Sequence, residues 1–287
     1  NGMLAAKPGY SCAGAMQHTD EVKTMSQRAS RIEQDSMGKM QVPAWALWGA
    51  STQRAVENFP ISGRGVPVQV IHAFGYLKAA CAKVNQDLGK LDSKLASAII
   101  DAANEVAQGQ HDRHFVVDVF QTGSGTSSNM NANEVIANIA NQKLGQPIGT
   151  QHPIHPNDHV NMGQSSNDTF PTAMHVAAAT ATRTKLRPAM QHLHETLDRQ
   201  AHQWDQIIKI ARTHLMDATP IRVGQVFSGY AAQANAAIVR SKRVEGLMEE
   251  LPIGGTAVGT GINTHIEFGA RVAEELSTRT GCTFREA

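Results

Sequence analysis

Helix length constrains this chain more than any other feature. From Pro171 onward, Leu186, Met190, Leu193, Leu197, Ala201, Trp204 and Ile208 recur at three- and four-residue steps, a coiled-coil-like stripe. A second segment, from about Gly224 to Leu251, carries Val226, Tyr230, Ala234 and Ala237 as inward candidates. Helices of this length are unusual against a mean of about 11–12 residues. A small domain cannot bury both sides of them, so they should form a bundle, reaching across copies of the chain. Pro188 is expected to kink the first, and a third helix should begin near Thr264. The expected fold is mainly α. A small mixed N-terminal domain at 31–162 precedes a long-helix bundle domain at 163–287, and residues 1–30 read as a flexible extension.

The N-terminal half has a different texture. Gly38, Pro43, Trp45, Trp48 and Gly49, between Asp35 and Phe59, suggest short strands and turns and no long helix. Ile71, Phe74, Leu77, Cys81, Val84 and Leu88 step by three or four, and Gly89 ends the run. Leu91, Leu95, Ile99 and Val106 predict a second helix, and Asn131 to Leu144 a third, closed by Gly145. Between them, His114 to Gln121 is a short β-branched stretch.

Composition removes several classes of function. The 287 residues hold 26 basic and 25 acidic side chains, a net charge of +1. That balance gives no reason to expect nucleic acid or an anionic membrane as a partner. No apolar run approaches the roughly 20 residues that span a bilayer. Cys12, Cys81 and Cys282 are scattered and form no C-x-x-C pair, which fits a reducing, cytoplasmic setting, with a mitochondrial one as the lesser option. His155 and His159 have the i, i+4 spacing of a metal pair, but no third ligand is evident, so no metal is expected.

Small polar residues gather in three connections. The first is Gly123-Ser124-Gly125-Thr126-Ser127-Ser128-Asn129, the second Gln164-Ser165-Ser166-Asn167-Asp168-Thr169, and the third Arg212-Thr213-His214-Leu215-Met216-Asp217-Ala218-Thr219-Pro220. The first two precede helices, whose N-termini favour an anion. Any one of them, taken alone, reads more simply as helix caps. Three such clusters, one holding a histidine, point to a site for a small dicarboxylate. His214 is the candidate for acid–base work, because a histidine titrates near neutral pH. Gly123-Ser124-Gly125 is a poor dinucleotide fingerprint, since Ser128 stands where the third glycine belongs.

At these clusters the chain resembles the fumarase/aspartase superfamily. Gly123-Ser124-Gly125-Thr126 with Ser128-Asn129-Met130-Asn131 and Asn133-Glu134-Val135 is similar to its first conserved block. His155-Pro156-Asn157-Asp158 with Gln164-Ser165-Ser166-Asn167-Asp168 is similar to the second, and Thr213-His214-Leu215 with Asp217-Ala218-Thr219-Pro220 to the third. Asp35-Ser36-Met37-Gly38, Leu47-Trp48-Gly49-Ala50 and the run from Gly254 to Gly261 add to it. His214 and His155 resemble the class II fumarase branch, whereas His159 and Ser127 lean towards aspartase.

The resemblance implies reversible, cofactor-free addition of water to fumarate, giving malate. Ser124, Gly125, Thr126, Ser165, Ser166, Asn167 and Thr213 would bind the substrate, and His214 would handle the proton that accompanies water. His155, Pro156, Asn157 and Asp158 would form a second dicarboxylate site. The first and second blocks and the His214 block would be brought together from different subunits of a homotetramer. The family's glycine- and serine-rich loop, with its lysine and base, is expected beyond Ala287. The chain would then be an N-terminal portion, inactive by itself. The alternatives are an aspartase or other superfamily lyase, and a noncatalytic homologue that pairs through its bundle helices.

Overall fold

The computed structural model describes residues 29–287; the expectation for the N-terminal extension falls almost wholly outside them. β1 (Ser30–Asp35) and β2 (Gly38–Pro43) form an antiparallel pair running from Ser30↔Pro43 to Asp35↔Gly38. Gly38, at φ 125°, takes a backbone conformation that a side chain would strain. Arg54 of α1 (Ala50–Asn58) holds the Asp35 carboxylate with two hydrogen bonds of 2.9 and 2.8 Å, locking the hairpin to the helix. No side chain of its own caps α1. Its first N–H groups turn to Glu134, whose buried carboxylate accepts from Gly49 at 2.8 Å, Ser51 at 2.9 Å and Thr52 at 3.1 Å. A negative group at a helix N-terminus is doubly favoured, by the donors and by the dipole.

α2 (Val68–Asp87) is the central post. Ile71, Ala79 and Ala82 face one apolar core, shared with α3 (Ser93–Ala107), α4 (Thr126–Lys143) and the Trp45–Trp48 segment. Phe74, Leu77, Cys81 and Val84 face another, built with α5 (Ser166–Ala181) and α8 (Phe268–Thr280). An apolar helix with buried residues on all sides belongs at such a junction. Asp92 caps α3 by accepting from the N–H groups of Lys94 and Leu95.

His114 ends a single 3₁₀ turn (Asp112–His114) and is buried under Trp45 and Trp48. Its Nδ1 accepts from the Leu47 N–H at 3.2 Å. Burial, with the Arg113 charge beside it, pushes its pKa down to about 4. The folded ring thus stays neutral where the unfolded one, near 6.5, takes up a proton. Stability present above about pH 6.5 should be lost as pH falls towards 4. By pH 5 the loss from this group is about 2 kcal/mol. Urea unfolding at pH 7 and pH 5 checks it: the drop for His114→Asn should be smaller than for the wild type by about that amount.

The long helices depart from expectation in instructive ways. α5 runs into a π-helical turn (Thr182–Leu186) and then α6 (Arg187–Gln203). Thr182, Leu186 and Arg187 all keep right-handed helical angles, so the chain continues as one rod. The irregularity falls just before Pro188 and not at it. Proline lacks the N–H that would bond to the Thr184 carbonyl, and the wider turn makes room for its ring. The rod ends at Gln203, short of Ile208. Ile208 instead opens β3 (Ile208–Thr213), which pairs with β4 (Met216–Arg222). The third polar cluster is therefore a β-hairpin and not a loose connection. α4 begins at Thr126, five residues before the expected start, and α8 begins at Phe268, four residues after it. Residues 50–58, read as strand and turn, form α1. Of the β-branched stretch at 114–121, one isolated bridge, Gly65↔Asp118, has strand character.

α7 (Val223–Met248) runs back along α6. Ala201 is the one buried residue of α6, while α7 buries Gly224, Ala231 and Ile238. Leu193, Tyr230, Val244 and Leu247 are half or more exposed, or nearly so. Among the described residues no helix is long and apolar enough to cross a membrane.

Candidate active site

Two helix starts meet. α4 opens after Gly125, whose φ of 68° turns the chain sharply into the helix. Having no side chain, Gly125 offers no cap, and the N–H groups of Thr126 and Ser127 find no acceptor among the described residues. A Cβ on Gly125 would overlap the Phe170 ring, so the missing side chain also lets α4 approach α5. The result is a ladder of hydroxyls across two segments 40 residues apart. Ser124 Oγ lies 2.9 Å from Thr126 Oγ1, which lies 2.8 Å from Ser166 Oγ. Ser124 and Thr126 are exposed, and Ser166 is half-exposed. Hydroxyls bonded to one another can turn their hydrogens towards an incoming oxygen.

Ser165 and Asn167 have further duties. Ser165 caps α5, its Oγ accepting from the Asn167 N–H, while Asp168 Oδ1 accepts from the Ser165 N–H at 2.9 Å. The other Asp168 oxygen accepts from Thr256 at 2.9 Å and Gly254 at 3.2 Å. Asn167 Nδ2 donates to the Ala257 carbonyl at 2.7 Å. The glycine-rich run after β5 (Glu250–Leu251) is thereby strapped to the start of α5. Burial raises the Asp168 pKa, and these N–H donors pull against the rise.

His214 stands elsewhere. It forms, with Leu215, the two-residue turn between β3 and β4, and both residues have positive φ, 51° and 62°. Paired left-handed residues match the twist of a hairpin, although asparagine and glycine adopt them more cheaply. Thr213, His214 and Leu215 are all exposed. The rod from Ser166 to Gln203 carries the chain roughly 57 Å. The eleven residues from Trp204 to His214 can return at most about 37 Å. One copy therefore cannot bring His214 to Thr126 and Ser166. By contrast, the first and second blocks, expected from different subunits, meet within one chain.

His155 caps a π-helical turn (Pro156–Val160), its Nδ1 accepting from Asn157 and Asp158 at 3.3 Å. His159 Nδ1 accepts from the His155 N–H at 2.9 Å. Pro156 is buried, and Asn157 and Asp158 are exposed.

A profile for a family described as Lyase matches residues 38–287. The chain belongs to that lyase family. It is 58% identical over 259 residues to a class II fumarate hydratase of Corynebacterium efficiens, covering 90% of this chain and 53% of that protein. It is 56% identical over 257 residues to a class II fumarate hydratase of Halobacterium salinarum, covering 90% and 54%. The crystal structure of a recombinant class II fumarase from Schistosoma mansoni superposes with a TM-score of 0.86 at 39% identity, covering 90% of this chain and 58% of that one. The chain thus shares the mainly α fold of that fumarase structure. It spans about half the length of the curated relatives it matches.

One element of this lyase segment escaped sequence reading. Lys78 lies fully buried in α2 behind the two helix starts. Its only outward sign is its flanks: Leu77, Ala79, Ala80, Cys81 and Ala82 leave it no polar face to share.

Proposed function

We propose that this chain supplies the dicarboxylate cradle of a fumarate hydratase, carrying out reversible hydration of fumarate to L-malate without a cofactor. The hydroxyl ladder Ser124–Thr126–Ser166, set at two converging helix starts, carries the proposal. In the dehydration direction, the proton leaves the methylene carbon of malate and the electron pair spreads onto the neighbouring carboxylate, making an aci-carboxylate. Hydroxide then departs from the adjacent carbon as the double bond forms. The difficult species is the doubly charged carboxylate. Fixed hydroxyl and N–H donors stabilise such charge without reorganising during the reaction. Thr126, Ser127 and Ser166 supply them here.

His214 would act on the water in another copy's cradle, because the rod between them is too long for one copy to fold back on itself. The exposed apolar stripe on α6 and α7 offers the surface for that assembly, a homotetramer in the family-based expectation. The carbon-acid base would come from the part of the relatives that this chain does not span. Asn157 and Asp158, exposed beside His155, would form the second dicarboxylate site.

Following fumarate absorbance tests this reading. The 287-residue chain should show no turnover. Extended by the remaining portion its relatives possess, it should hydrate fumarate, with Thr126→Val lowering kcat/KM by about a hundredfold. Substantial turnover by the shorter chain would overturn the division of labour. Ammonia release from aspartate by the extended protein, without hydration of fumarate, would replace the substrate.

A further inference from the structure

Lys78 is an expensive residue where it stands. Its side chain is fully buried, and among the described residues no carboxylate lies within hydrogen-bonding reach. An unpaired buried ammonium survives only when each of its three protons finds an acceptor. Here they do. Nζ donates to Asn129 Oδ1 at 2.7 Å, Gln164 Oε1 at 2.8 Å and Asn161 Oδ1 at 3.0 Å. The amides are themselves tied down. Asn129 Nδ2 donates to Asn161 Oδ1 at 3.1 Å, and Gln164 Nε2 donates to the Val160 and Met162 carbonyls at 3.1 Å.

The placement of these acceptors gives the network its meaning. Asn129 lies in the first turn of α4, three residues after Thr126. Gln164 immediately precedes Ser165, the cap of α5. The ammonium is thus the common partner of both helix starts whose hydroxyls meet. A leucine or methionine at this position would fill the core with no desolvation penalty, so packing alone does not account for a lysine. We propose that Lys78 is a positioning residue that holds the starts of α4 and α5 in register and supplies a positive charge behind the cradle. The charge half of this inference rests on the dicarboxylate reading above; the register half does not.

Two ionisable groups act on the ammonium. Asp168, from α5, favours its charged form, while the buried Cys81 thiol, one turn along α2, is pushed away from ionisation. Burial outweighs both and lowers the Lys78 pKa to about 7. A bound dianion would favour the protonated amine, so affinity should fall as pH rises through neutrality.

The test compares the wild-type chain with Lys78→Gln and Lys78→Met. Hydrogen exchange reads the register: the bonded amides of Ser128, Asn129, Ser165, Asn167 and Thr169 should exchange at least tenfold faster in both variants, with those of α3 unchanged. Exchange within twofold of wild type would overturn the positioning role. Succinate titration, followed by backbone amide shifts, reads the charge. Wild-type affinity should weaken at least fivefold between pH 6.5 and 8.5. Lys78→Gln should bind at least tenfold more weakly at pH 6.5 and change less than twofold over that range. Faster exchange with unaltered succinate affinity would leave Lys78 a purely structural clamp and overturn the charge role. A wild-type chain that binds no succinate would sink the dicarboxylate reading and the charge half with it, while the exchange result still decides the register half.

Discussion

Glu134→Ala should lower the unfolding free energy by about 3–5 kcal/mol, a large share of the stability of any domain. The carboxylate is buried and accepts from three backbone N–H groups at the start of α1. Alanine would leave those donors without partners, each costing about 1–3 kcal/mol where water cannot reach. It would also open a void that the neighbourhood cannot easily fill. Gly49 already sits so close that a Cβ there would lie 2.9 Å from Glu134 Cδ. Glu134→Gln keeps an acceptor oxygen but turns an NH₂ towards a donor, so an intermediate loss is expected. Urea unfolding of the three proteins would read these differences. A loss below about 1 kcal/mol for alanine would mean that α1 finds other partners.

Gly125→Ala should damage both stability and activity. At φ 68° an alanine pays roughly 1 kcal/mol for the left-handed backbone. Its methyl must also displace the Phe170 ring, which packs against Phe74 with ring centroids 6.2 Å apart. Forcing atoms into a filled core typically costs about 1–3 kcal/mol more. The more telling effect is geometric. The two helix starts would be pushed apart where Thr126 and Ser166 touch at 2.8 Å. Misplacing such groups by an ångström can cost about a hundredfold in rate. Thermal unfolding and fumarate turnover of the extended protein measure the two effects together. A variant that loses stability and keeps full turnover would show that the ladder's spacing is not what catalysis depends on.

What could be read before the structure follows from the range of the interactions. α2 and α3 are legible because their apolar residues recur at helical steps, and α2 also ends in a local stop signal, Gly89. The start of α4 is not, because Gly125 is both a turn residue and the position before the helix, and its turn ends one residue before Thr126. The β3–β4 hairpin escaped for a similar reason. Ile208 extends the stripe of the preceding helix, and His214-Leu215 lacks the Asn-Gly character that marks a two-residue turn. Ser124, Thr126 and Ser166 were visible as residue types at helix starts, but their mutual contact depends on Gly125 and Phe170, which no spacing connects. Lys78 and Glu134 are the least legible. Each is a charged residue whose partners come from distant segments, and in isolation each resembles a solvated side chain.

The α5–α6 rod ties Ser166 and His214 to one gene without tying them to one centre. Under the proposed reading, each copy lends its hydroxyls to one centre and its histidine to another. A population holding two different alleles then makes mosaics. A copy crippled at its cradle still donates a sound histidine, and a copy crippled at its hairpin still donates a sound cradle. Dominance and rescue between alleles would follow from which end of the rod each one alters.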